Sequence, residues 1–384
     1  MPLDIFFTEE HDMLRTSLRE FVARELEPHA EEWEKEEGFP DWVFKRMGDL
    51  GYLGLNYPEE YGGGGGDYFT NMVLAEELAR CGTTGIGAGV GVHVGCATPP
   101  ILAFGTEEQK QKYLVPAIKG DKIACLGITE PGAGSDIANL STFAEKVEGG
   151  WRVNGNKIFI TNGASAHFMT LLARTEKVKG FKGMSLFLVD TDTPGFVVSR
   201  KLDKVGMRTS DTAEIFFEDM LVADDALLGE EGRGFYNIMW ELQGERLIGA
   251  AGMVAGARIA LDRTVAYVKE RVQFGRPVAR NQAVAHRLAD LATRIEAAQA
   301  LVYLAAWRFD QGSYPVQEIS MAKLMAAQVV FEAGDEGLQF MGGYGYMMEE
   351  PMQRHWRDSR IWRIAGGTDE IMREIIATSM GLYE

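Results

Sequence analysis

The sequence predicts an α+β protein in which helices, strands and helices follow one another in three separate regions. Residues 8 to about 120 place apolar side chains at helical spacing, and from about residue 122 the pattern changes to alternation with turn residues in between. Beyond about residue 230 long helical periodicity returns. Segregated runs of this kind predict an N-terminal helical domain (1–121), a central β domain (122–230) and a C-terminal helical domain (231–384).

Composition excludes several classes of protein. The chain has 384 residues and a net charge of -17, which argues against nucleic acid or an anionic membrane as a general partner. Its three cysteines show no metal-ligand spacing and cannot form a fully paired disulfide framework. The N-terminal segment "MPLDIFFTEEHDMLR" is acidic where a targeting peptide is basic, and the apolar stretch at 247–261 is interrupted by Arg258 and glycines. A cytoplasmic protein is therefore expected.

In the N-terminal region the helical pattern is interrupted by "YPEEYGGGGGDYF" (57–69), which contains five consecutive glycines. Such a run is typical of a flexible connector between helices. It is not a phosphate-binding loop, because no Gly-Lys-Ser/Thr follows it. We therefore interpret it as a loop without a ligand.

In the central region six segments read as strands, and Asn154-Gly155 between "WRV" and "NKIFIT" predicts a hairpin turn. A dinucleotide-binding fold would need strands and helices that alternate around G-x-G-x-x-G, and this pattern is not found in the sequence. A Rossmann-type dehydrogenase is therefore not expected. In the C-terminal region helices are predicted at about 233–271, 279–310 and 315–341, with a last one from Asp369.

The segment "LGITEPGAGSD" (126–136) follows an expected strand. A turn at Pro131-Gly132 would bring Thr129, Ser135 and free peptide N–H groups together as neutral donors. Such an arrangement suits a flat polar ring or a diphosphate. The alternative is a turn that binds nothing.

The segment "KIFITNG" (157–163) places Phe159 and Thr161 on one face of a strand, since strand side chains alternate. An aromatic ring beside a hydroxyl can shield and hydrogen-bond a planar cofactor. An ordinary half-buried strand explains the same pattern.

Two later segments offer further contacts. "RVQFGRPVARNQ" (271–282) links two helices and carries Arg271, Arg276 and Gln282, which suit phosphate or adenine. "QFMGGYGYMMEEP" (339–351) contains glycines that let another group approach the backbone closely. Neither segment is specific by itself.

In this order and at these spacings, the segments resemble the acyl-CoA dehydrogenase family over essentially the whole chain. The resemblance is carried by "TEPGAGSD", "FIT", "R-x-x-FG", "QxxGGYGY" and "GGTDEI". It implies the acyl-CoA dehydrogenase fold, with a β-barrel-like central domain and a C-terminal four-helix bundle. It also implies FAD as cofactor, a fatty acyl-CoA substrate, a role in fatty acid β-oxidation, an electron-transfer flavoprotein as electron acceptor, and a homotetramer.

Carried over residue by residue, the resemblance implies the contacts to FAD. The isoalloxazine ring and ribityl-phosphate chain are assigned to Leu126, Gly127, Ile128, Thr129, Gly134, Ser135, Phe159, Ile160 and Thr161. The adenosine and diphosphate part, which in this family usually crosses a dimer interface, is assigned to Arg271, Phe274, Gln282, Gln339, Phe340, Met341, Gly342 and Gly343. Contacts to the cofactor are also assigned to Thr368, Asp369 and Glu370.

The reaction implied is α,β-dehydrogenation, in which a carboxylate takes the α proton of the acyl thioester and the β hydrogen leaves as hydride to the flavin. In many members of the family this carboxylate directly precedes the Gly-Thr of the C-terminal motif. Gly366 stands at that position here. Either the catalysis is lost, which would leave a silent acyl-CoA-binding protein, or the base comes from another element.

Glu245 in "ELQGERL" is the candidate base. On a helix it shares a face with Leu242, Gly249 and Gly252. By the resemblance, the long-chain and isovaleryl branches take their base from a Glu-Arg pair on this helix, which Glu245-Arg246 matches. The same branches have a small residue at the position of Gly366.

Two alternatives remain for the base. Glu245 could be a solvated or ion-paired surface acid, and Asp369 or Glu370 could act instead, although acids in the first turn of a helix are explained by the helix dipole. The substrate path is assigned by resemblance to Ser135, Tyr236, Gln243, Glu245, Arg246 and Gly366, whose backbone N–H is implied to bind the thioester carbonyl.

The sequence therefore predicts an acyl-CoA dehydrogenase that prefers a long or branched acyl chain. An isovaleryl-like enzyme for short branched chains is the second choice. An oxygen-using flavin oxidase or monooxygenase on the same scaffold is a further alternative.

Overall fold

The computed structural model describes residues 4–383, and its N-terminal region is helical as expected. Three π-helical segments, Val22–Leu26, His93–Ala97 and Lys110–Leu114, continue or connect these helices. The helices are α1 (Glu9–Phe21), α2 (Ala30–Glu36), α3 (Trp42–Asp49), α4 (Tyr68–Leu78), α5 (Thr84–Val92), α6 (Pro99–Phe104), α7 (Glu107–Gln109) and α8 (Val115–Ile118).

The glycine run between α3 and α4 is a packed loop, so the interpretation as a flexible connector is wrong. Its backbone N–H groups are fixed one after another: Gly64 donates to Gly54, Gly65 to Tyr57 and Gly66 to Leu55. A β-carbon on Gly63 would lie 2.1 Å from the Tyr57 carbonyl oxygen. The glycines are there because two backbone segments lie in direct contact.

A stretch of 21 residues, Thr84–Phe104, is long and apolar enough to span a membrane, although 61% of its most apolar window is buried inside the protein. It contacts the sheet, where the Ala124 N–H donates to His93 at 3.0 Å, and the C-terminal region, where a β-carbon on Gly95 would lie 3.1 Å from Ile248. We interpret it as a core helix.

The central strands form one eight-stranded sheet with the order β6-β7-β3-β2-β4-β5-β8, and β1 pairs with β4 in parallel. The sheet buries one face against α9 and the N-terminal helices and the other on its own apolar cluster. The strands are β1 (Ala124–Gly127), β2 (Phe143–Val147), β3 (Gly150–Thr161), β4 (Phe168–Arg174), β5 (Met184–Asp190), β6 (Phe196–Lys201), β7 (Thr212–Ala223) and β8 (Leu227–Leu228).

The hairpin predicted at Asn154-Gly155 is wrong, because β3 runs straight through both residues. The turn lies earlier, where Val147 pairs with Gly150. Asn154 instead lies opposite a bulge in β7, because Val153 pairs with Met220 and Gly155 with Phe217, and the Asn154 amide exchanges hydrogen bonds with the side chain and backbone of Asp219. The bulged strand has the positive φ at this point, +46° at Asp219.

The C-terminal region consists of long helices, as expected, plus one short helix that was not predicted. α9, α10 and α11 pack on one another around an apolar core that also receives Tyr68, Phe69 and Met72 from α4. The elements are α9 (Gly234–Glu270), β9 (Val272–Gln273), β10 (Arg276–Pro277), α10 (Gln282–Asp310), α11 (Val316–Met341), α12 (Pro351–Ser359) and α13 (Asp369–Ser379).

Candidate active site

Glu245 on α9 lies directly against Gly366, 121 positions later in the chain. A β-carbon on Gly366 would be 3.0 Å from Glu245 Oε1 and 3.4 Å from Oε2. The carboxylate therefore fills the space that a side chain at position 366 would take. Glu245 Oε2 is buried and has no hydrogen-bond partner within residues 4–383. Glu245 and Gly366, which the sequence analysis linked through the resemblance, are therefore in contact.

The loop that carries Gly366 is held by two buried cations. Arg246 Nε donates to the Gly366 carbonyl at 3.0 Å. Lys323 on α11 donates from Nζ to the Gly367 carbonyl at 2.6 Å and to the Trp362 carbonyl at 2.8 Å. Both side chains are more than nine-tenths buried. The loop is thus fixed relative to α9, and so is the distance from Gly366 to the carboxylate.

The surroundings of Glu245 shift its pKa in the direction that suits a general base. Burial raises the pKa of Glu245 above its usual value, while the charges of Arg246 and Lys323 oppose the rise. Burial also lowers the pKa of Lys323 to about 8. A carboxylate with a raised pKa binds a proton more readily than an exposed glutamate.

The two rival acids on α13 have structural roles. Asp369 is buried and pairs with Arg363 at 2.8 Å. Glu370 is exposed, and hydrogen bonds to the backbone N–H and to Thr368 at the start of α13 lower its pKa. Thr368 caps the helix by accepting from the Ile371 N–H. A carboxylate with a lowered pKa is a weak base, and a carboxylate held in an ion pair is poorly placed to take a proton. The geometry therefore favours Glu245 over Asp369 and Glu370.

The other predicted substrate residues are spread along α9. Gln243 is buried with Arg246 near Tyr314, and its Nε2 donates to the Met239 carbonyl. Tyr236 lies two helical turns or more before Glu245, half-exposed, with the Arg233 guanidinium over its ring. Ser135 is exposed on the turn after β1. Only Arg246 and Gly366 therefore touch the immediate surroundings of Glu245.

The two segments assigned to the flavin ring are adjacent. The Ile158 N–H donates to the Thr129 carbonyl at 2.9 Å, which joins the end of β1 to β3. Leu126 and Ile128 pack in the same apolar cluster as Leu242 of α9. The expected alternation of Phe159 and Thr161 is broken by a bulge, because β3 shifts register between residues 157 and 160.

A second group of predicted cofactor residues meets beyond the C-terminal end of α9. A cavity of about 500 Å³ is lined there by Tyr267, Arg271, Gln273, Val278, Phe340, Met341, Gly342, Gly343, Tyr344 and Met347. The Arg271 guanidinium lies over the Tyr344 ring. Phe274, Gln282 and Gln339 are outside this lining, and Phe274 is fully exposed at φ +50°.

Models of one protein family match the three regions in turn. The N-terminal domain of acyl-CoA dehydrogenase matches residues 8–121, its middle domain 125–220 and its C-terminal domain 232–381. The chain belongs to the acyl-CoA dehydrogenase family. It is similar to the acyl-CoA dehydrogenase of Geobacillus kaustophilus, whose crystal structure superposes with a TM-score of 0.95 at 41% identity, over 97% of this chain and 98% of that one. This agreement confirms the predicted family and fold.

Relatives of different substrate classes match this dehydrogenase about equally well. An acyl-CoA dehydrogenase of Bacillus subtilis is 42% identical over 96% of this chain and 97% of its own. The short-chain enzyme of Bos taurus is 41% identical over 96% and 89%, and the long-chain enzyme of Mus musculus is 40% identical over 97% and 86%. Overall identity therefore does not single out the long-chain or isovaleryl branch.

The family is FAD-dependent, and one solved structure with a TM-score of 0.95 and 29% identity is the FAD complex of PigA. The residues present fit this cofactor. Phe159 is 65% exposed next to the segment 126–135, so an aromatic face is free beside the turn. Gly132 and Gly134 in that turn have open space where a β-carbon would stand. The enzyme is an FAD-dependent oxidoreductase, as predicted.

Glu241, one helical turn before Glu245, was not singled out in the sequence. It is 2% exposed, and neither carboxyl oxygen has a partner in the described part of the chain. Burial, and then the nearby Glu245, raise its pKa well above the usual value. The spacing of four residues, which puts both acids on one face of α9, was the available signal.

Replacing Glu241 with leucine is expected to stabilise the enzyme by about 1–3 kcal/mol at pH 8, because a buried unpaired acid is removed. The folded-state pKa is raised, so the wild-type free energy of unfolding falls as pH rises above about 4.5, until the acid is fully ionised in both states. The gain should therefore be larger at pH 8 than at pH 5. Denaturant unfolding at both values measures it. Exposed Glu231 replaced by leucine is the control, and an equal gain at both pH values would contradict the prediction.

Proposed function

We propose that this dehydrogenase oxidises long or branched fatty acyl-CoA thioesters to trans-2-enoyl-CoA, with Glu245 as the base. The observation that carries the proposal is the contact between Glu245 and Gly366. The position before the Gly-Thr motif has no side chain, and a carboxylate from α9 takes its place. From this replacement we infer that the enzyme belongs to the long-chain or isovaleryl branch. A short branched acyl chain is the second candidate.

The chain's own residues divide the work as follows. Glu245 removes the α proton onto a carboxylate oxygen that has no partner among residues 4–383. The backbone N–H of Gly366 hydrogen-bonds the thioester carbonyl and stabilises its developing negative charge. Arg246 and Lys323 hold the loop in place through its carbonyl groups. FAD, when bound, supplies the acceptor for the hydride that leaves the β carbon.

The two groups of cofactor residues imply that a second copy of the chain completes the site. The flavin segments pack near Leu242, whereas Arg271 follows the far end of α9. From Glu245 to Glu270 a helix rises about 1.5 Å per residue, or roughly 38 Å. A single bound cofactor would have to span this distance to touch both groups of residues. We infer that Arg271 and the segment 339–343 serve the FAD of a neighbouring subunit in a dimer, within a homotetramer.

Replacing exposed Phe274 with aspartate is expected to weaken self-association and to release FAD in the same protein. The reason is that a fully exposed aromatic residue beside the second cavity suits an interface between copies. Light scattering gives the mass, and the ratio of flavin to protein gives the occupancy. Phe181→Asp, at an exposed aromatic elsewhere, is the control. Unchanged mass and occupancy in the Phe274 variant would rule out this interface.

The proposed reaction is tested by adding acyl-CoAs to the oxidised holoenzyme without oxygen and following loss of flavin absorbance. A series of straight chains of increasing length, together with isovaleryl-CoA, gives the preference from the rate constants. The fastest bleaching by a long or branched chain supports the proposal. Fastest bleaching by short straight chains would contradict the assignment to the long-chain or isovaleryl branch. No bleaching by any acyl-CoA would contradict the proposed dehydrogenation.

Exposure of the reduced enzyme to air separates a dehydrogenase from an oxidase on the same scaffold. Slow reoxidation in air and rapid reoxidation by an electron-transfer flavoprotein are expected. A neighbour with a TM-score of 0.95 and 39% identity comes from a study of the electron transferring flavoprotein of Acidaminococcus fermentans. We propose this class of acceptor, and a cytoplasmic location, for the enzyme.

The rate constant for flavin reduction is expected to rise with pH through the pKa of Glu245. Because burial raises this pKa, the rise should be centred above the 4.5 of an ordinary glutamate. Below that pH the base is protonated and cannot accept the α proton. Stopped-flow measurement across pH 5–9, about the working range of such a group, tests the expectation. A rate that falls as pH rises through this region would contradict it.

A further inference from the structure

A buried ion pair joins the two segments assigned to the flavin ring. Lys157 on β3 is 0% exposed and Glu130, just past β1, is 3% exposed. Lys157 Nζ lies 2.9 Å from Glu130 Oε1. Neither residue has a part in the reaction as proposed above. Desolvating two charges is expensive, so a fully buried pair is seldom explained by stability alone.

The lysine binds the backbone of the first segment as well as the carboxylate. Lys157 Nζ donates to the Ile128 carbonyl at 2.9 Å. The next residue, Ile158, donates its N–H to the Thr129 carbonyl at 2.9 Å. Positions 128, 129 and 130 are therefore each held by residue 157 or 158. These three contacts fix the distance between the turn and β3.

The glutamate fixes the same turn from its other side. Glu130 accepts from the Ser141 N–H at 2.7 Å, from the Ser141 hydroxyl at 2.6 Å and from the Thr142 N–H at 2.9 Å. Its backbone exchanges two hydrogen bonds of 3.1 Å with Ala133, which close the turn at Pro131-Gly132. The described hydrogen bonds of the Lys157 ammonium and the Glu130 carboxylate therefore all connect the turn to β3 or to residues 141–142.

The lysine also adjoins the point where β3 leaves its regular geometry. Register with β7 is lost between Lys157 and Ile160. Within this bulge Phe159 has φ +61°, a left-handed conformation that is unusual for an aromatic residue. Lys157 on one side and buried Ile160 on the other hold the bulge. The exposed ring of Phe159 follows from their positions.

We propose that Lys157 and Glu130 are positioning residues of the FAD site, which set the turn 128–135 and the ring of Phe159 at the spacing that the isoalloxazine requires. The proposal rests on the assignment of these segments to the flavin. The pair touches neither substrate nor reacting atoms. It acts through the backbone of Ile128 and through the bulge at Phe159.

Lys157→Met is expected to raise the dissociation constant of FAD at least about tenfold, measured by flavin fluorescence on dilution of the holoenzyme. The absorption bands of the remaining bound flavin and its midpoint potential should shift, because ring contacts change. Glu130→Gln, which keeps the size of the side chain, should have the same effects if the lysine variant does not fold. Glu76→Gln at the buried Arg15–Glu76 pair is the matched control and should leave the FAD affinity unchanged.

The double variant K157M/E130Q separates positioning from stability. It leaves no unpaired buried charge, so its melting temperature should recover towards that of the wild type while FAD affinity stays low. Recovery of both, or wild-type affinity and spectrum in the single variants, would overturn the proposal. Flavin bleaching of the wild-type enzyme by acyl-CoA reports separately on the proposed function, since a failure there leaves the FAD affinities of the variants interpretable.

Discussion

Replacing Glu245 with glutamine is expected to slow reduction of bound FAD by acyl-CoA about 10²–10⁴-fold, the usual contribution of a positioned general base. Glutamine keeps the shape of the side chain but cannot take the α proton. Because Glu245 Oε2 has no partner in the described chain, the substitution breaks no hydrogen bond that the protein makes to this oxygen. Binding of FAD and of acyl-CoA should therefore be retained. Anaerobic stopped-flow absorbance measures the loss in the rate constant.

Glu370→Gln is the control for this experiment. It removes the exposed acid closest in sequence to the Gly-Thr motif, whose lowered pKa makes it a weaker base. The rate constant for reduction of the FAD that remains bound should stay within about twofold of the wild-type value, because Glu370 takes no part in the proposed proton transfer. A wild-type rate in the Glu245 variant together with a large loss in the Glu370 variant would move the base to α13.

The order of the three regions could be predicted from local patterns, and the contact between Glu245 and Gly366 could be predicted from the resemblance. Hydrophobic spacing changes from helical to alternating near residue 122 and back near 230. Gly366 stands where the resemblance implies a carboxylate, and "ELQGERL" offers one on a helix. The contact between them needed no knowledge of the packing, since each position was identified separately within its own motif.

Features that depend on contacts outside their own motif could not be predicted. The dipeptide Asn154-Gly155 has the residues of a tight turn, but β7 pairs with β3 on both sides of it and keeps it within the strand. The glycine run at 62–66 has no side chains, yet each of its backbone N–H groups donates a hydrogen bond to a carbonyl group of residues 54–59. β7 is remote from the dipeptide in the sequence, whereas residues 54–59 shortly precede the glycine run; in neither case does the motif itself show which backbone lies against it.

Buried charges were missed for a similar reason. Glu241, Lys157 and Lys323 each look like an ordinary charged residue of a half-exposed helix or strand. Their environment depends on what surrounds them: no hydrogen-bond partner for Glu241 in the part of the chain that the structure describes, a carboxylate for Lys157 and loop carbonyls for Lys323. A charged residue in an amphipathic pattern is usually placed on the surface, so the pattern alone predicts the wrong environment.

Gly366→Ala is expected to lower the rate constant for flavin reduction about tenfold or more, because a misplacement near 1 Å can cost about 10²-fold. The new β-carbon would lie 3.0 Å from Glu245 Oε1, which is closer than such contacts normally are. Either the carboxylate or the loop must move. Stability should also fall by about 1–2 kcal/mol, since Gly366 has φ +66°. Stopped-flow absorbance and denaturant unfolding measure the two effects.

Gly312→Ala separates these two causes. Gly312 has φ +77°, close to that of Gly366, but its β-carbon would meet nothing within 4 Å. Both variants should therefore lose a similar free energy of unfolding, while only the Gly366 variant loses rate. Equal rates in the two variants would mean that Glu245 does not need the space beside residue 366. A rate loss in Gly366→Ala alone ties catalysis to that space, because backbone strain is the same in both proteins.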